Sequence, residues 1–234
     1  MRVHVTSKPV TSSQFKISVL VDVLRSSSTI ITALNNGANG VIPFTNVKSA
    51  VRFRRTITNG QNVIMVGERH GITPKRFHYN ISPFDMTEEN VQGKLIAYSS
   101  TNLTRVLERV RGKTKVVIGG VINSYATANY LRSSHRDVVI IACGTMLGPT
   151  VEDLAGAGAI ASLLTDDDLT DEALVAVGLY RDPEWRTLAK RGRTAKHLIR
   201  LGFERDIDYC FKSDFSSVVP GLVGNRIVDV AQSN

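Results

Sequence analysis

Five times the chain runs through a short apolar segment rich in β-branched residues and then into a stretch with helical spacing. The apolar runs are "KISVLVD" (16 to 22), "NVIMVGE" (62 to 68), "KLIAYSS" (94 to 100), "KVVIGG" (115 to 120) and "DVVIIACG" (137 to 144). They are continuous rather than alternating, the pattern of strands covered on both faces. The stretches near 28 to 37, 46 to 59, 102 to 111, 123 to 134 and 151 to 164 repeat Leu, Ile, Val and Ala at helical intervals. Alternation of the two restricts the chain to the α/β class, with a mostly parallel or mixed sheet between helices.

Punctuation agrees. Gly37 is placed to end the first helix in a left-handed cap, and Ser100 or Thr101 and Thr150 to begin later ones. "DPEWRTLAKRGRTAKHLIRLGF" predicts one or two short basic helices and "GLVGNRIVDVA" a last strand. Residues 69 to 93 form the longest stretch without periodicity, and a loop of that length in a compact domain is commonly functional. The 234 residues contain no linker and no internal repeat, so a single domain over 1 to 234 is expected, with a two-lobed arrangement as the alternative.

No apolar stretch approaches the roughly 20 residues of a membrane span. The N-terminal "MRVHVTSKPVTSSQFK" lacks a secretory h-region, so a cytoplasmic protein with no membrane partner is expected. Cys143 and Cys210 are too few for a disulfide framework, and Cys143 reads as a buried thiol ending a strand. The net charge of +8 favours an anionic partner.

Ligands of open α/β sheets bind beyond the carboxyl ends of the strands, and the unusual residues gather there. Asp22, Arg25, Ser26, Ser27, Ser28 and Thr29 follow the first run; Glu68 and Arg69 the second; Ser100, Thr101 and Asn102 the third; Asn123 the fourth; Glu152 and Asp153 the fifth. Carboxylates suit hard cations such as Mg2+, guanidinium forks match phosphate oxygens, and helix N-termini offer free N–H groups. Together they point to a metal-assisted phosphate site. Each piece also has a plain structural reading. Asp22 can cap a turn, "SSST" and "SSTN" can be helix caps, and "TVED" is a capping box in which Asp153 reaches back to Thr150. Glu68 and Arg69 can be a solvated pair.

Other features carry less. "GAGAIAS" (156 to 162) falls inside a predicted helix and is no dinucleotide fingerprint. His70 and His78 stand in the long loop without a fixed partner, and the basic clusters "RFRR" and "KRGRTAKHLIR" read as solvated helix faces.

The blocks "VDVLRSSSTIITALNNGA", "GERHG", "NISP", "YSSTNLTRVL", "GGVINSYA", "CGTMLGPTVEDLAGAGAI" and "GFERDIDYCFKSD" occur in this order. The series resembles the 2-phosphosulfolactate phosphatase family from about residue 16 to 220. The resemblance implies a three-layer α/β/α fold and a magnesium-dependent hydrolase that converts 2-phospho-3-sulfolactate to 3-sulfolactate and phosphate, a step of the coenzyme M type. It implies Mg2+ held by Asp22, Glu152 and Asp153, with Arg25 and Arg69 stabilising phosphoryl charge and Glu68 moving the proton. Ser26, Ser27, Ser100, Thr101, Asn102 and Asn123 would contact the phosphoester or sulfonate, and a homodimer is a further expectation. The family's Asn-x-Ser-Pro falls on Asn80, Ser82 and Pro83. Leu103 stands where the family usually has glycine, and is expected to narrow the pocket or move the anion. Leu24 two positions after Asp22 departs from the Asp-x-Asp of phosphatases that form an aspartyl-phosphate, which favours water as nucleophile. The rival reading is an inactive anion- or nucleic-acid-binding protein on the same fold.

Overall fold

The computed structural model describes residues 1–10, 14–57 and 62–231. All five apolar runs are strands: β2 (Ile17–Val21), β4 (Val63–Gly67), β5 (Leu95–Ser99), β6 (Lys115–Gly119) and β7 (Val138–Ala142). The chain opens with β1 (Arg2–Thr6), and adds β3 (Gly40–Pro43) and the short β8 (Asp168–Leu169). "GLVGNRIVDVA", expected as one strand, is a hairpin of β9 (Pro220–Val223) and β10 (Arg226–Asp229) turned at Gly224, whose φ of 62° suits glycine.

Two parallel blocks make the sheet. β4-β5-β3 forms one and β6-β2-β7-β1-β8 the other, and the β9–β10 hairpin lies between them. Pairing is antiparallel at β3–β10, β10–β9 and β9–β6, so the blocks run in opposite senses. Neighbouring strands also rotate by roughly 20–25°, so the five steps from β5 to β2 accumulate on the order of 100–125°. The segments beyond the carboxyl ends of β5 and β2 meet, since Leu103 N donates to the Asp22 carboxylate. In-register pairing then sets the ends flush: Val21 opposes Gly119 and Ala142, and Gly67 opposes Ser99.

Helices cover both faces, in the three-layer α/β/α arrangement. Val19 and Val21 pack to one side with Val117, Val138 and Ile140. Over them lie α5 (Ser124–Ser134), α6 (Val151–Ala161) and α7 (Asp171–Arg181). Leu20, Ile118, Val139 and Ile141 point the other way, onto α1 (Ser26–Asn35) and α4 (Leu103–Val110). α2 (Val47–Thr56) covers β4 and β5 through Ala50. Gly158 of α6 permits the closest helix contact, because a Cβ there would stand 2.0 Å from the Ala176 oxygen of α7.

The long loop holds only a 3-10 turn (Pro83–Asp85) and α3 (Glu88–Val91), while α8 (Trp185–Lys190), α9 (Arg193–Arg200) and α10 (Glu204–Cys210) follow α7. Gly37 has the left-handed φ of 85° that was expected after α1. Thr150 does precede α6, but its hydroxyl makes no cap bond. Among the described residues no helix is long and apolar enough to cross a membrane.

Candidate active site

The ends of β2, β4 and β5 open into a cavity of about 430 Å3. Asp22 lies at its base, buried, with its backbone N–H donating to Ser27 Oγ at 2.9 Å and its Oδ2 accepting from Leu103 N at 3.1 Å. Burial pushes its carboxyl up to about 6; hydrogen bonding by Ser26 opposes the rise and the nearby charge of Glu68 adds to it. Ser26, Thr101 and Asn102 line the same cavity. Glu68 is tied from three directions: Oε1 accepts from Thr101 N at 2.7 Å and Thr101 Oγ1 at 2.8 Å, and Oε2 from Gly71 N at 2.8 Å.

Arg25 lines the cavity yet directs its guanidinium inward. Nη1 donates to Asp206 Oδ2 at 2.5 Å and Nη2 to Asn80 Oδ1 at 2.7 Å, and the group lies 4.2 Å over the Phe203 ring. Ser82 Oγ donates to the second Asp206 oxygen at 2.8 Å. The Asn-x-Ser-Pro block and the C-terminal Asp206 therefore form one buried clamp around Arg25.

Four expected substrate contacts lie off the cavity wall. Arg69 donates to the carbonyls of Glu68 and Thr45 and to Ser99 Oγ, and is not on the cavity wall. Asn123 accepts from Gly120 N at 2.9 Å and donates to Val218 O at 2.9 Å, which ties β6 to the segment before β9. Ser27 and Ser100 are buried behind the wall.

The three expected metal ligands form a row rather than a cage, with Asp153 feeling the charges of both Asp22 and Glu152. Asp153 does not make the capping box: Oδ1 accepts from Val23 N and Oδ2 from Gly144 N, both at 2.8 Å, joining the ends of β2 and β7. Burial, then the charges of Asp22 and Glu152, push its carboxyl well above the usual range. Glu152 is also raised by burial, against the hydrogen bonding of the Thr194 and Thr150 hydroxyls and the charge of Arg193, which lower it. Among the described residues no three Asp, Glu, His or Cys side chains converge as a ready ion cage. The donor chemistry still suits a hard cation, since carboxylates buried together raise one another.

One wall escaped sequence reading. Arg193, Thr194 and His197 of α9, dismissed as a solvated face, line the cavity, and His197 Nε2–H donates to the His70 carbonyl at 3.0 Å. Spacing of four places Arg193 and His197 on one helical face, and Gly192 before them marks the helix start. The N-termini of α1, α4 and α9 thus meet at one cavity, rimmed by the exposed Met146 and Leu147. A larger hollow of about 730 Å3, beside α5, contains none of the expected site residues.

The model of the 2-phosphosulpholactate phosphatase family matches residues 4–225. The chain belongs to this family. A probable 2-phosphosulfolactate phosphatase of Thermotoga petrophila is 35% identical over 228 residues, 97% of each chain, and that of Thermotoga maritima shows the same figures. A relative of that name from Carboxydothermus hydrogenoformans is 35% identical over 212 residues, 89% of this chain and 87% of its own. These names denote phosphatases, hydrolases of phosphoric monoesters.

Proposed function

We propose that the protein hydrolyses a small, multiply anionic phosphomonoester, 2-phospho-3-sulfolactate, to 3-sulfolactate and inorganic phosphate, a coenzyme M type reaction. The observation that carries this reading is the convergence of three helix N-termini and Arg193 on a cavity with Asp22 at its base. The Asn102 amide and the backbone N–H groups at the start of α9 receive the phosphoryl oxygens, and Arg193 attracts a second anionic group of the same substrate. Asp22, Asp153 and Glu152 would hold Mg2+, which when bound would supply Lewis-acid polarisation of the phosphoryl oxygens.

Water attacks phosphorus and the ester P–O bond breaks. Thr101 Oγ1 donates to Glu68 Oε1, so a proton given up by water to Thr101 sends the hydroxyl proton on to Glu68. The departing alkoxide, on the opposite face of phosphorus, takes a proton from solvent, and Glu68 later returns its proton to solvent. Asp206, Asn80 and Phe203 hold Arg25 at the start of α1, which fixes the adjacent Ser26 and Asp22. Arg25 acts by positioning in this scheme rather than by touching phosphate.

The test is phosphate release from synthetic 2-phospho-3-sulfolactate, with and without Mg2+, by the wild type and Asp22→Asn. Release should need the ion and fall at least a hundredfold in the variant, the scale of a lost transition-state contact. Metal-independent release, or undiminished activity in Asp22→Asn, would overturn the scheme.

A further inference from the structure

A second cavity lies outside the reaction site. It encloses about 520 Å3 between α2 and the tip of the long loop, and Lys48, Arg52, Arg55, Lys75 and Arg76 line it. Lys48, Arg52 and Arg55 follow one another at four and three positions along α2, so they share one face of the helix. Lys75 and Arg76 occupy the tip of a turn closed by the Phe77 N–H to the Pro74 carbonyl at 3.0 Å. Arg76 holds a left-handed φ of 80°, a conformation disfavoured for an L residue with a Cβ.

This arrangement works against folding. All five side chains are exposed, and among the described residues none pairs with a carboxylate. α2 carries no acidic residue in its ten positions to offset the like charges along its face. Nor does the interior need the cluster, since α2 packs onto the sheet through Ala50 and its neighbours on the opposite side. Five cations gathered on two separate elements, with space for a ligand between them, have their compensation in an anion.

We infer that this cavity is a binding site for a compact anion bearing several phosphate groups, of the tripolyphosphate class. Size and composition favour that class over nucleic acid. The volume falls within the range of small-molecule sites, and the lining contains Val47 and Val51 but no aromatic ring on which a base could stack. Rigid guanidinium forks at Arg52, Arg55 and Arg76 match phosphate oxygens two at a time.

The cavity shares its loop with the reaction site. Glu68, His70 and Gly71 line the cavity at Asp22 and Asn80 holds Arg25 beside it, while Lys75 and Arg76, between them in the chain, line this one. The inference does not depend on which phosphoester the reaction site takes.

Calorimetric titration of the full chain with sodium tripolyphosphate tests it, at several salt concentrations and with 2-phospho-3-sulfolactate absent. Two paired variants are compared, Arg52→Ser with Arg55→Ser and Lys75→Ser with Arg76→Gly, the last relieving the backbone at that position. Each pair should weaken binding about tenfold or more and flatten its salt dependence, while phosphate release from a simple phosphomonoester stays as in the wild type. Unchanged affinity in both pairs would place tripolyphosphate elsewhere and overturn the inference. Single-stranded RNA bound more tightly than tripolyphosphate at equal phosphate concentration would overturn it in favour of a nucleic-acid surface. Circular dichroism of both pairs separates lost binding from lost folding, and a folded pair that keeps full affinity counts against the site.

Discussion

Replacing Asp22 by Asn should make the protein more stable at neutral and alkaline pH. Burial raises the Asp22 carboxyl from 3.8 to about 6. At one pKa unit to 1.36 kcal/mol, that rise means the fold penalises the ionised form by about 3 kcal/mol. The sign follows from proton counting. Between 3.8 and about 6 the folded chain keeps a proton that the unfolded chain has lost, so stability falls as pH rises through this window and is level above it. Asn removes the charge and leaves an amide oxygen for the Leu103 N–H. A gain of about 2–3 kcal/mol at pH 8 is expected, and at roughly 2–4 °C per kcal/mol for a domain of this size the melting temperature rises by about 4–12 °C. Melting curves in chelator-containing buffer at pH 8 and pH 4 measure it. The gap should close at pH 4, where wild-type Asp22 is largely protonated, and Mg2+ at pH 8 should narrow it by stabilising the wild type alone. A variant that melts at or below the wild type at pH 8 refutes the reasoning, because Asp22 would then be an anion the fold favours.

Three further outcomes can be measured directly. Asp206→Asn leaves the Arg25 guanidinium buried without its counter-charge and should cost about 3–5 kcal/mol in urea unfolding, part of it recovered in an Arg25→Met, Asp206→Leu double variant. Leu103→Ala should cost about 2–5 kcal/mol and leave KM unchanged, since the fully buried side chain belongs to the core and not to the cavity wall. Arg193→Met should raise KM for a doubly anionic substrate about tenfold at low salt, leave KM for a singly anionic phosphomonoester near the wild-type value, and alter stability by less than about 0.5 kcal/mol.

Leu103 shows where sequence reading succeeded and where it stopped. The strand ends were legible because a two-sided parallel strand must be continuously apolar, and polar residues after it mark its exit. Thus Asp22, Glu68, Thr101 and Asn102 do meet. The direction of side chains was not legible. Leu103 takes part through its backbone N–H, toward Asp22, while its side chain turns into the core. Arg25 looks the same in sequence whether it faces an anion or Asp206, 181 positions away. Asp153 fits a capping box by spacing, yet two amides on other elements claim its oxygens. Strands β1, β3 and β8 were missed because β1 alternates and the other two are too short to show a period. The α9 wall was missed because a basic amphipathic helix reads as solvated until a cavity is seen beside it.

The place of the β9–β10 hairpin fixes the order in which the sheet can be completed. These strands come after all the others in the chain and yet occupy the fourth and fifth positions of ten across the sheet. As the polypeptide leaves the ribosome, each parallel block can assemble by itself, but β3 and β6 wait with bare edges until residues 220 to 229 emerge. Closure then joins segments about a hundred or more positions apart, a slow step by loop-closure entropy. Since the cavity at Asp22 needs both blocks, the nascent protein gains it only at this last step, and deletion of the hairpin should leave two unpaired edges prone to aggregation.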